Sequence, residues 1–395
     1  MSKFDKNLLR ILSADSRFDS KIVKTLGVKD KTTALVKVRN PLQLITIERR
    51  FRVVGEYPFI RSLAVECGLD EAIALERMAE VEYVSGESRV SCLAGGDKDE
   101  NSVFSNTSQN SFEKSEGNPQ NASLNTASAF SVKGTKLTGK GTTLCVMDTG
   151  VLPHSDLSIP RERIVHFVDM IGGEKSPYDD NGHGTFVAGI AAGNGLLSGR
   201  EVCGVAREAN IIGLKVIGKD GESGTFKILD GMQWLFDNFR QYGVSVVCMS
   251  FGADPLDFAD PLKIGAEMLA RSGLIVVAAS GNSGENNLKS PAISNEIISV
   301  GAVNDEGKVA EFTSRGVYNG IYRPDVYSNG VSVRGIKAGS TYSTMTGTSA
   351  SAPYIAGACL LLKEKYKNLS PEQAKSMILS SAKNIDGNLV LDLDL

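Results

Sequence analysis

Six continuous apolar runs in the C-terminal two thirds of the chain constrain its fold more than any other feature. Several of them are separated by segments of helical composition, at residues 184–192, 226–239 and 261–271. Runs without polar alternation are typical of parallel strands that are covered on both faces. The sequence therefore predicts an α/β domain with a parallel sheet, in which ligands lie at the carboxyl ends of the strands. The predicted strands are Thr143–Met147, Ile164–Val168, Ile211–Ile217, Val244–Met249, Leu274–Ala279 and Ile297–Val303.

A polar stretch near residues 95–128 separates this domain from a smaller N-terminal unit. The stretch is rich in Ser, Asn, Gly and charged residues and poor in aliphatic residues. Because such a segment cannot bury enough apolar surface to fold, it is predicted to be a flexible linker. We expect an N-terminal domain at residues 1–94, a linker at 95–124 and a second domain at 125–395.

The N-terminal unit alternates short strand-like and helix-like segments. Their order, β-α-β-β-α-β, predicts a small α+β unit of the ferredoxin-like type. Roughly the first 30 residues are expected to form one or two helices ahead of it. The predicted strands lie at 33–38, 51–57, 60–65, 81–83 and 88–93, and the predicted helices at 40–50 and 69–79.

Charge and composition argue against several classes of protein. The formal net charge of the 395 residues is −3 and no Lys/Arg block stands out, so nucleic acid is not an expected partner. The N-terminus is too charged for a secretory signal, and no stretch approaches the ~20 apolar residues of a membrane span. We therefore expect a cytoplasmic protein with no membrane partner. The six cysteines lack zinc-ligand spacing and are expected to be reduced, mostly core thiols.

The first polar motif, Asp148-Thr149-Gly150, follows the first apolar run. A carboxylate at that strand end would point into the ligand crevice. Asp before Gly is also common in ordinary turns, so the motif alone leaves both readings open. Aspartic proteases use DTG as well, but they pair two such carboxylates, and this chain has no second DTG or DSG.

The second motif, Asn181-Gly182-His183-Gly184-Thr185, opens an apolar helix. The other histidines, His154 in a polar loop and His166 in a strand-like run, are expected to play no chemical role. A neutral imidazole at His183 can accept a proton near pH 7. The alternative is a surface residue that only caps the helix.

Two further motifs supply a nucleophile and a hydrogen-bond donor. Ser349, in Gly347-Thr348-Ser349, is expected on a tight turn at a helix N-terminus, where backbone N–H groups gather. Asn282 follows a buried run, and its amide could donate to a developing negative charge. A plain Ser N-cap and an Asn in a left-handed turn are the alternatives. Together with Asp148 and His183, these residues meet the full requirement for acyl transfer.

These motifs resemble those of the subtilisin-like serine proteases, the subtilases. The order Asp…His…Ser is also the order in subtilisin. The resemblance runs from about Asn125 to Ala382 and includes DTG, NGHGTFVAG, AASGNSG and GTSASAP. It implies a serine endopeptidase with Asp148, His183 and Ser349 as the triad and Asn282 in the oxyanion hole. The substrate-binding residues implied are the walls of the primary pocket, Ser250, Phe251, Gly252, Ala279, Ser280 and Gly281, and Gly224 at a more distant subsite. The substrate backbone would pair with Ser250–Gly252 as an added strand.

The resemblance also assigns a role to the N-terminal unit, whose position and element order are similar to the propeptide domain of this family. It implies a zymogen of the intracellular type, whose propeptide aids folding and inhibits the protease. The tail Ser88–Leu93 would thread the active site as a product-like strand. We predict self-cleavage between about Cys92 and Gly96, where strand gives way to linker.

The chain departs from the family pattern at several places and leaves other readings open. Phe186 and Tyr354 stand where a His is commoner. The segment after the His183 helix lacks the Asn-rich calcium loop of secreted members, so no cofactor is expected beyond weak calcium binding. Asp179 and Asp180 would either favour a basic substrate residue or form a solvated acidic loop. The rival functions are a pseudoprotease that only binds, and an esterase, whose usual G-x-S-x-G is absent around Ser349.

Overall fold

Two sheets of very different size organise the chain in the computed structural model, which describes residues 31–93, 137–256, 259–339 and 341–391. The smaller sheet has four strands and belongs to the N-terminal unit, and the larger has nine. The helices predicted for residues 1–30 and the predicted linker at 95–124 lie outside the described residues.

The N-terminal unit has the predicted β-α-β-β-α-β order. Its antiparallel strands lie side by side in the order β2-β3-β1-β4. Alternate residues of β1 face two different cores, since Ala34 and Val36 pack under the unit's own helices while Leu35 faces the larger domain. The elements are β1 Thr32–Val38, α1 Leu44–Glu48, β2 Val53–Tyr57, β3 Ser62–Cys67, α2 Leu69–Arg77 and β4 Val81–Gly86.

Three details of this unit differ from the sequence prediction. The helix predicted from residue 40 begins as a 3₁₀ turn at Pro41–Gln43, which the Asn40 side chain caps. The strand predicted from residue 60 begins later, because a second 3₁₀ turn ends at Arg61 in a left-handed conformation, φ 57°. The segment predicted as the last strand does not join this sheet. Instead β5, Arg89–Cys92, pairs with strands of the larger domain on both of its edges.

The larger sheet confirms the predicted parallel architecture. Its strand order is β19-β20-β16-β13-β12-β10-β6-β8-β7, and only the β19–β20 pair is antiparallel. The run predicted to end at Ile217 stops at Lys215, because Val216 and Ile217 turn and donate their N–H groups to the Asp148 carbonyl. The strands are β6 Thr143–Asp148, β7 Ile164–Asp169, β8 Asn210–Lys215, β10 Val244–Met249, β12 Ile275–Ala279, β13 Ile298–Val303, β16 Val326–Asn329, β19 Ala382–Ile385 and β20 Asn388–Leu391.

Helices cover both faces of this sheet, which explains the unbroken apolar runs. Two helices with almost entirely buried residues, α4 and α7, pack on one face, and α5 and α6 pack on the other. None of the helices in the described part of the chain is long and apolar enough to cross a bilayer. The helices are α3 Ser155–Ser158, α4 His183–Ala192, α5 Thr225–Asn238, α6 Pro261–Arg271, α7 Thr348–Lys365 and α8 Pro371–Ser381.

Short strands complete the larger domain. Two of them, β9 and β11, flank β5, and the other four form two hairpins. Sequence analysis did not predict these elements, because strands of two to four residues carry too little periodicity to be recognised. They are β9 Glu222–Gly224, β11 Phe251–Gly252, β14 Gly316–Tyr318, β15 Ile321–Arg323, β17 Val333–Ile336 and β18 Tyr342–Met345.

The open face of the small sheet packs on helices α5 and α6. The Tyr57 hydroxyl donates to Asp230 Oδ1 at 2.9 Å, and the Phe59 ring lies 5.6 Å from the Phe236 ring, centroid to centroid. Burial, together with the Asp230 carboxylate, raises the pKa of Tyr57 well above its ordinary value, so this hydroxyl remains a donor. The interface therefore holds the unit where its tail, β5, reaches the carboxyl ends of β6 and β10.

Candidate active site

Asp148 and His183 meet at the carboxyl end of the larger sheet. Asp148 is the last residue of β6 and His183 the first of α4, and both are buried. His183 Nδ1 lies 2.7 Å from Asp148 Oδ1. Gly184 allows this approach, since a Cβ there would clash with the Gly150 carbonyl oxygen. The carboxylate thus fixes the orientation of the ring and turns Nε2 toward the cleft.

The surroundings of His183 favour its protonated form. Burial alone lowers the pKa of an imidazole, but attraction to Asp148, with a smaller contribution from Cys92, outweighs it. The pKa of His183 is therefore well above its ordinary value. Nε2 has no hydrogen-bond partner among the described residues, although it is buried. The nitrogen that faces the cleft is therefore free to exchange a proton with a reacting group.

Asp179 connects the turn after β6 with the start of α4. Its carboxylate accepts hydrogen bonds from the Thr149 hydroxyl (2.9 Å), from the N–H of Gly182 (2.8 Å), and from both the N–H and the hydroxyl of Thr185 (2.8 and 2.7 Å). These donors lie in the turn after β6 and at the start of α4. Asp179 is 8 % exposed, so it is neither part of a solvated loop nor a contact for substrate charge.

Asp180, its neighbour, has a different partner. Its Oδ1 lies 2.7 Å from Nζ of Lys215, a side chain that is only 1 % exposed. The same ammonium group also donates to the Thr149 carbonyl at 2.6 Å. Both acidic residues before His183 therefore have structural partners, and neither is directed at the substrate cleft.

Ser349 is the second residue of α7. The preceding Gly347 has φ 148°, a conformation that L side chains rarely adopt, and it turns the chain sharply into the helix. Ser349 Oγ donates to the Ser250 carbonyl at 3.0 Å rather than to His183. A rotation about χ1 is therefore needed before Oγ can give its proton to Nε2. Bonds of this kind often form only in the reacting complex.

Asn282 and the Ser349 backbone converge on one carbonyl oxygen, that of Leu93. The Asn282 amide donates from Nδ2 to this oxygen, and the Ser349 N–H lies 3.4 Å from it. Thr348 orients the amide, because its N–H and hydroxyl both donate to Asn282 Oδ1 at 2.9 Å. Two donors aimed at one carbonyl oxygen form the arrangement that stabilises an oxyanion.

The tail β5 fills the cleft as the middle strand of a three-stranded antiparallel sheet. On one side Cys92 pairs with Phe251 and Ser91 with Gly252, and on the other Arg89 pairs with Gly224. The Leu93 N–H continues the ladder to the Ser250 carbonyl at 3.1 Å. The pairing with Phe251 and Gly252 is the one expected of a substrate strand, and Gly224, expected at a more distant subsite, lies on the other edge.

The Leu93 side chain lies in an apolar depression beside β12. It is 8 % exposed and belongs to the same apolar cluster as Ala279. Ser280 and Gly281 follow directly, and the Gly281 N–H donates to the Thr348 hydroxyl at 3.3 Å. Of the residues expected to bind substrate, Ser250, Phe251, Gly252 and Gly224 therefore pair with the tail, and Ala279 shares the apolar cluster of Leu93.

Cys92 lies in the tail that the resemblance placed in the active site, but its contact with Asp148 and His183 was not predicted from the sequence. It was grouped with structural thiols, but its Sγ lies 4.0 Å from Asp148 Oδ1, against the catalytic pair. One ligand atom from each of Cys92, Asp148 and His183 lies within 4.8 Å of the other two, so the group could hold a thiophilic cation. The missing signal was spatial, since Cys92 lies far from both partners in sequence. All six cysteines are free thiols.

Two departures from the family pattern have a packing explanation. Phe186 and Tyr354 lie in one small apolar cluster with Ile190 and Met345. A pair of aromatic rings thus fills space between α4 and α7.

Asp156 fixes the loop that follows α4. One oxygen of its carboxylate accepts a hydrogen bond from the N–H of Leu197, in this loop, at 2.9 Å, and the other accepts one from the hydroxyl of Tyr342, in β18, at 2.7 Å.

Comparison with known proteins places this site in a family context. The model of the Subtilase family matches residues 139–393. The chain is 36 % identical over 277 residues to serine protease AprX of Bacillus subtilis (strain 168), and this match spans 62 % of each protein, less than two thirds of the length of AprX. It is also 36 % identical over 250 residues to Subtilisin BL of Lederbergia lenta, covering 63 % of this chain and 86 % of that protein.

Two further comparisons concern the whole architecture. An alkaline protease of Alkalihalobacillus alcalophilus is 31 % identical over 339 residues, covering 86 % of this chain and 78 % of that protein. This match is longer than the chain after Leu93, so it includes part of the N-terminal unit. A crystal structure of a cold adapted subtilisin-like serine proteinase superposes with a TM-score of 0.56 at 26 % identity, covering 65 % of this chain and 90 % of that one.

Proposed function

The chain belongs to the subtilase family, and on that premise we propose that it is a serine endopeptidase made as a self-processing zymogen. The observation that carries the proposal is the position of the Leu93 carbonyl, whose oxygen faces the Asn282 amide and the Ser349 N–H. Peptides and proteins are the proposed substrates.

In the first step Ser349 acts as nucleophile and His183 as general base. Oγ turns from the Ser250 carbonyl toward Nε2, gives up its proton there and bonds to the carbonyl carbon of the substrate. The oxygen takes up negative charge between the Asn282 amide and the Ser349 N–H. His183 then donates the proton to the departing nitrogen, the peptide bond breaks, and an ester to Ser349 remains.

In the second step water replaces the departed amine. His183 Nε2 accepts a proton from this water, whose oxygen attacks the ester carbon. The same proton then returns to Ser349 Oγ as the acid is released. Asp148 remains ionised throughout and holds Nδ1 at 2.7 Å, so that Nε2 is the nitrogen that exchanges protons. No step requires a metal or a cofactor.

Self-processing accounts for the course of the N-terminal tail. Its backbone pairs on both edges as a substrate would, and the bond after Leu93 follows the carbonyl that the oxyanion donors hold. That bond lies within the interval predicted from sequence. The tail would remain as a product-like inhibitor, because the Tyr57 and Phe59 contacts persist after the cut. Activity in the cytoplasm is part of the proposal and is supported by the six free thiols.

Labelling with a fluorophosphonate tests the enzyme assignment, because this probe reacts only with an activated serine. We expect the processed chain to be labelled on Ser349 and Ser349→Ala to remain unlabelled. Ser380→Ala, which changes an exposed serine in α8, should label like the wild type. A wild-type chain that stays unlabelled after its N-terminal unit has been removed would instead support a pseudoprotease.

A further inference from the structure

An ion pair at the far end of the substrate strand involves one residue from each unit of the protein. Arg89 of β5 contacts the carboxylate of Glu222 in β9. When Leu93 is counted as the residue before the cleaved bond, P1, Arg89 is the fifth residue, P5. Arg89 leaves with the tail, whereas Glu222 remains on the enzyme.

The strand register explains why these two side chains meet. Ser91 lies opposite Glu222, and Arg89 lies opposite Gly224. Because alternate residues share a face of a sheet, Arg89 and Glu222 lie on the same face and are diagonal neighbours. A Cβ at Gly224 would meet the Glu87 carboxylate, so the space over this glycine is taken by another side chain of the tail, and the contact between Arg89 and Glu222 follows from their diagonal placement.

The opposite face of the same strand is closed. Val90, at P4, is fully buried among residues of the α5 and α6 side, and Cys92 Sγ, at P2, lies 4.0 Å from Asp148 Oδ1. Leu93, at P1, shares the face of Arg89 and is 8 % exposed. The Arg89 side chain is 71 % exposed and that of Glu222 is 34 % exposed. The P5 contact therefore adds charge recognition to a strand whose P4 and P1 side chains, Val90 and Leu93, belong to apolar clusters.

The Glu222 carboxylate belongs to the larger domain, not to the tail. Glu222 begins β9, and its N–H donates to Asp220 Oδ1 at 3.2 Å, so the loop before it carries a second acidic group. Lys219 is the basic residue of this loop and lies on its exposed side. After the tail has left, Glu222 faces whatever residue a new substrate presents at P5.

From this geometry we infer that Glu222 is a specificity-determining residue that selects peptide substrates with Arg or Lys at P5. The inference rests on the proposed function, since it assigns a substrate class to the same cleft. An exposed ion pair contributes little in water, so the selection is modest, about twofold to fivefold in kcat/KM. It also weakens with salt, because exposed charges are screened.

The test compares fluorogenic peptides that differ only at P5, with the residues Val-Ser-Cys-Leu before the cleaved bond. The processed enzyme is assayed with Arg, Ala and Glu at P5, at low salt and at 1 M salt. We expect kcat/KM to follow Arg > Ala > Glu at low salt and to become nearly equal at high salt. Glu222→Gln should bring the Arg/Ala ratio close to one, and Glu222→Arg should reverse the order.

Glu306→Gln is the matched control, since it removes an exposed carboxylate far along the chain from β9 and should keep the Arg/Ala ratio. Equal cleavage of the three peptides by wild type at low salt, or a ratio that survives Glu222→Arg, overturns the P5 assignment while leaving the protease assignment intact. An enzyme that cleaves none of the peptides and resists fluorophosphonate overturns both.

Discussion

The two halves of the site differ in how far each is prepared for reaction. The acid–base half is joined, with Asp148 and His183 at 2.7 Å. The carbonyl-binding half already holds a carbonyl, that of Leu93, but its nucleophile, Ser349, is turned toward Ser250. The comparison teaches that the tail occupies a nearly complete site, as the proposed inhibition requires. A rotation of the Ser349 side chain, with His183 in its neutral form, separates this arrangement from the reacting one.

Removing the Asn282 amide should produce the largest change in the carbonyl-binding half. Asn282→Ala is expected to lower kcat about 100–1,000-fold with little change in KM, the range recorded for loss of an oxyanion donor in subtilisin. The amide contributes mainly when charge develops on the oxygen. Steady-state kinetics on a peptide with Leu at P1 measure the effect. Asn287→Ala, at an exposed asparagine nearby, should retain normal kinetics, and equal kcat for both variants would contradict the role of Asn282.

Low pH should inactivate the acid–base half of the site, the Asp148–His183 pair, by protonating His183. His183 must be neutral to accept the Ser349 proton, and with the tail bound its pKa is raised well above the ordinary value, mainly by Asp148 in opposition to burial. Below that pKa the rate of self-cleavage should fall about tenfold for each pH unit, and it should level off only above it. Stopped time courses of the full-length chain at a series of pH values provide the profile. A rate that is flat from acid to alkaline pH would exclude His183 as the base.

Asp179 supports the acid–base half from behind, and its removal should have a smaller effect. Asp179→Asn replaces one acceptor oxygen with an NH₂ group that faces N–H donors. This should destabilise the turn by about 1–3 kcal/mol. We expect kcat to fall about tenfold, with KM nearly unchanged. The pKa of His183 in the pH–rate profile should fall, because a negative charge near the imidazole has been removed. Glu174→Gln, on the exposed part of the same loop, is the comparison. A loss of stability without any change in the pH profile would limit Asp179 to a structural role.

Much of the large domain was predictable from sequence because its strands are buried on both faces. Such strands produce unbroken apolar runs, and all six runs form strands of the sheet. Asp148, His183, Ser349 and Asn282 were candidates because each lies where a predicted strand ends or a helix starts, where parallel α/β folds bind ligands. Position alone left turn and cap readings open, and the combination of the four, with the resemblance to subtilases, favoured catalysis. In the N-terminal unit, the alternation of strand-like and helix-like segments was enough to predict the order of its elements.

Three features depended on contacts that residue patterns do not specify. The strand composition of Arg89–Cys92 names no partner, and its course through the cleft was expected only from the family resemblance; its partners are β9 and β11, far along the chain. Cys92 resembled a core thiol, and only the fold places it beside His183. Asp179 resembled a solvated acid, yet its carboxylate is buried and accepts five hydrogen bonds. Local composition reports burial and periodicity, whereas these roles arise from pairing across long sequence separations.

Intact-mass measurement of the freshly purified full-length chain tests the central claim most directly. The claim is that Ser349 cleaves its own chain after Leu93, where the tail carbonyl meets the oxyanion donors. We predict that the wild type converts with time into two fragments, the larger of which begins at Ala94, whereas Ser349→Ala stays intact under the same conditions. A wild-type chain that remains whole at alkaline pH, or an identical cut in Ser349→Ala, would contradict the account.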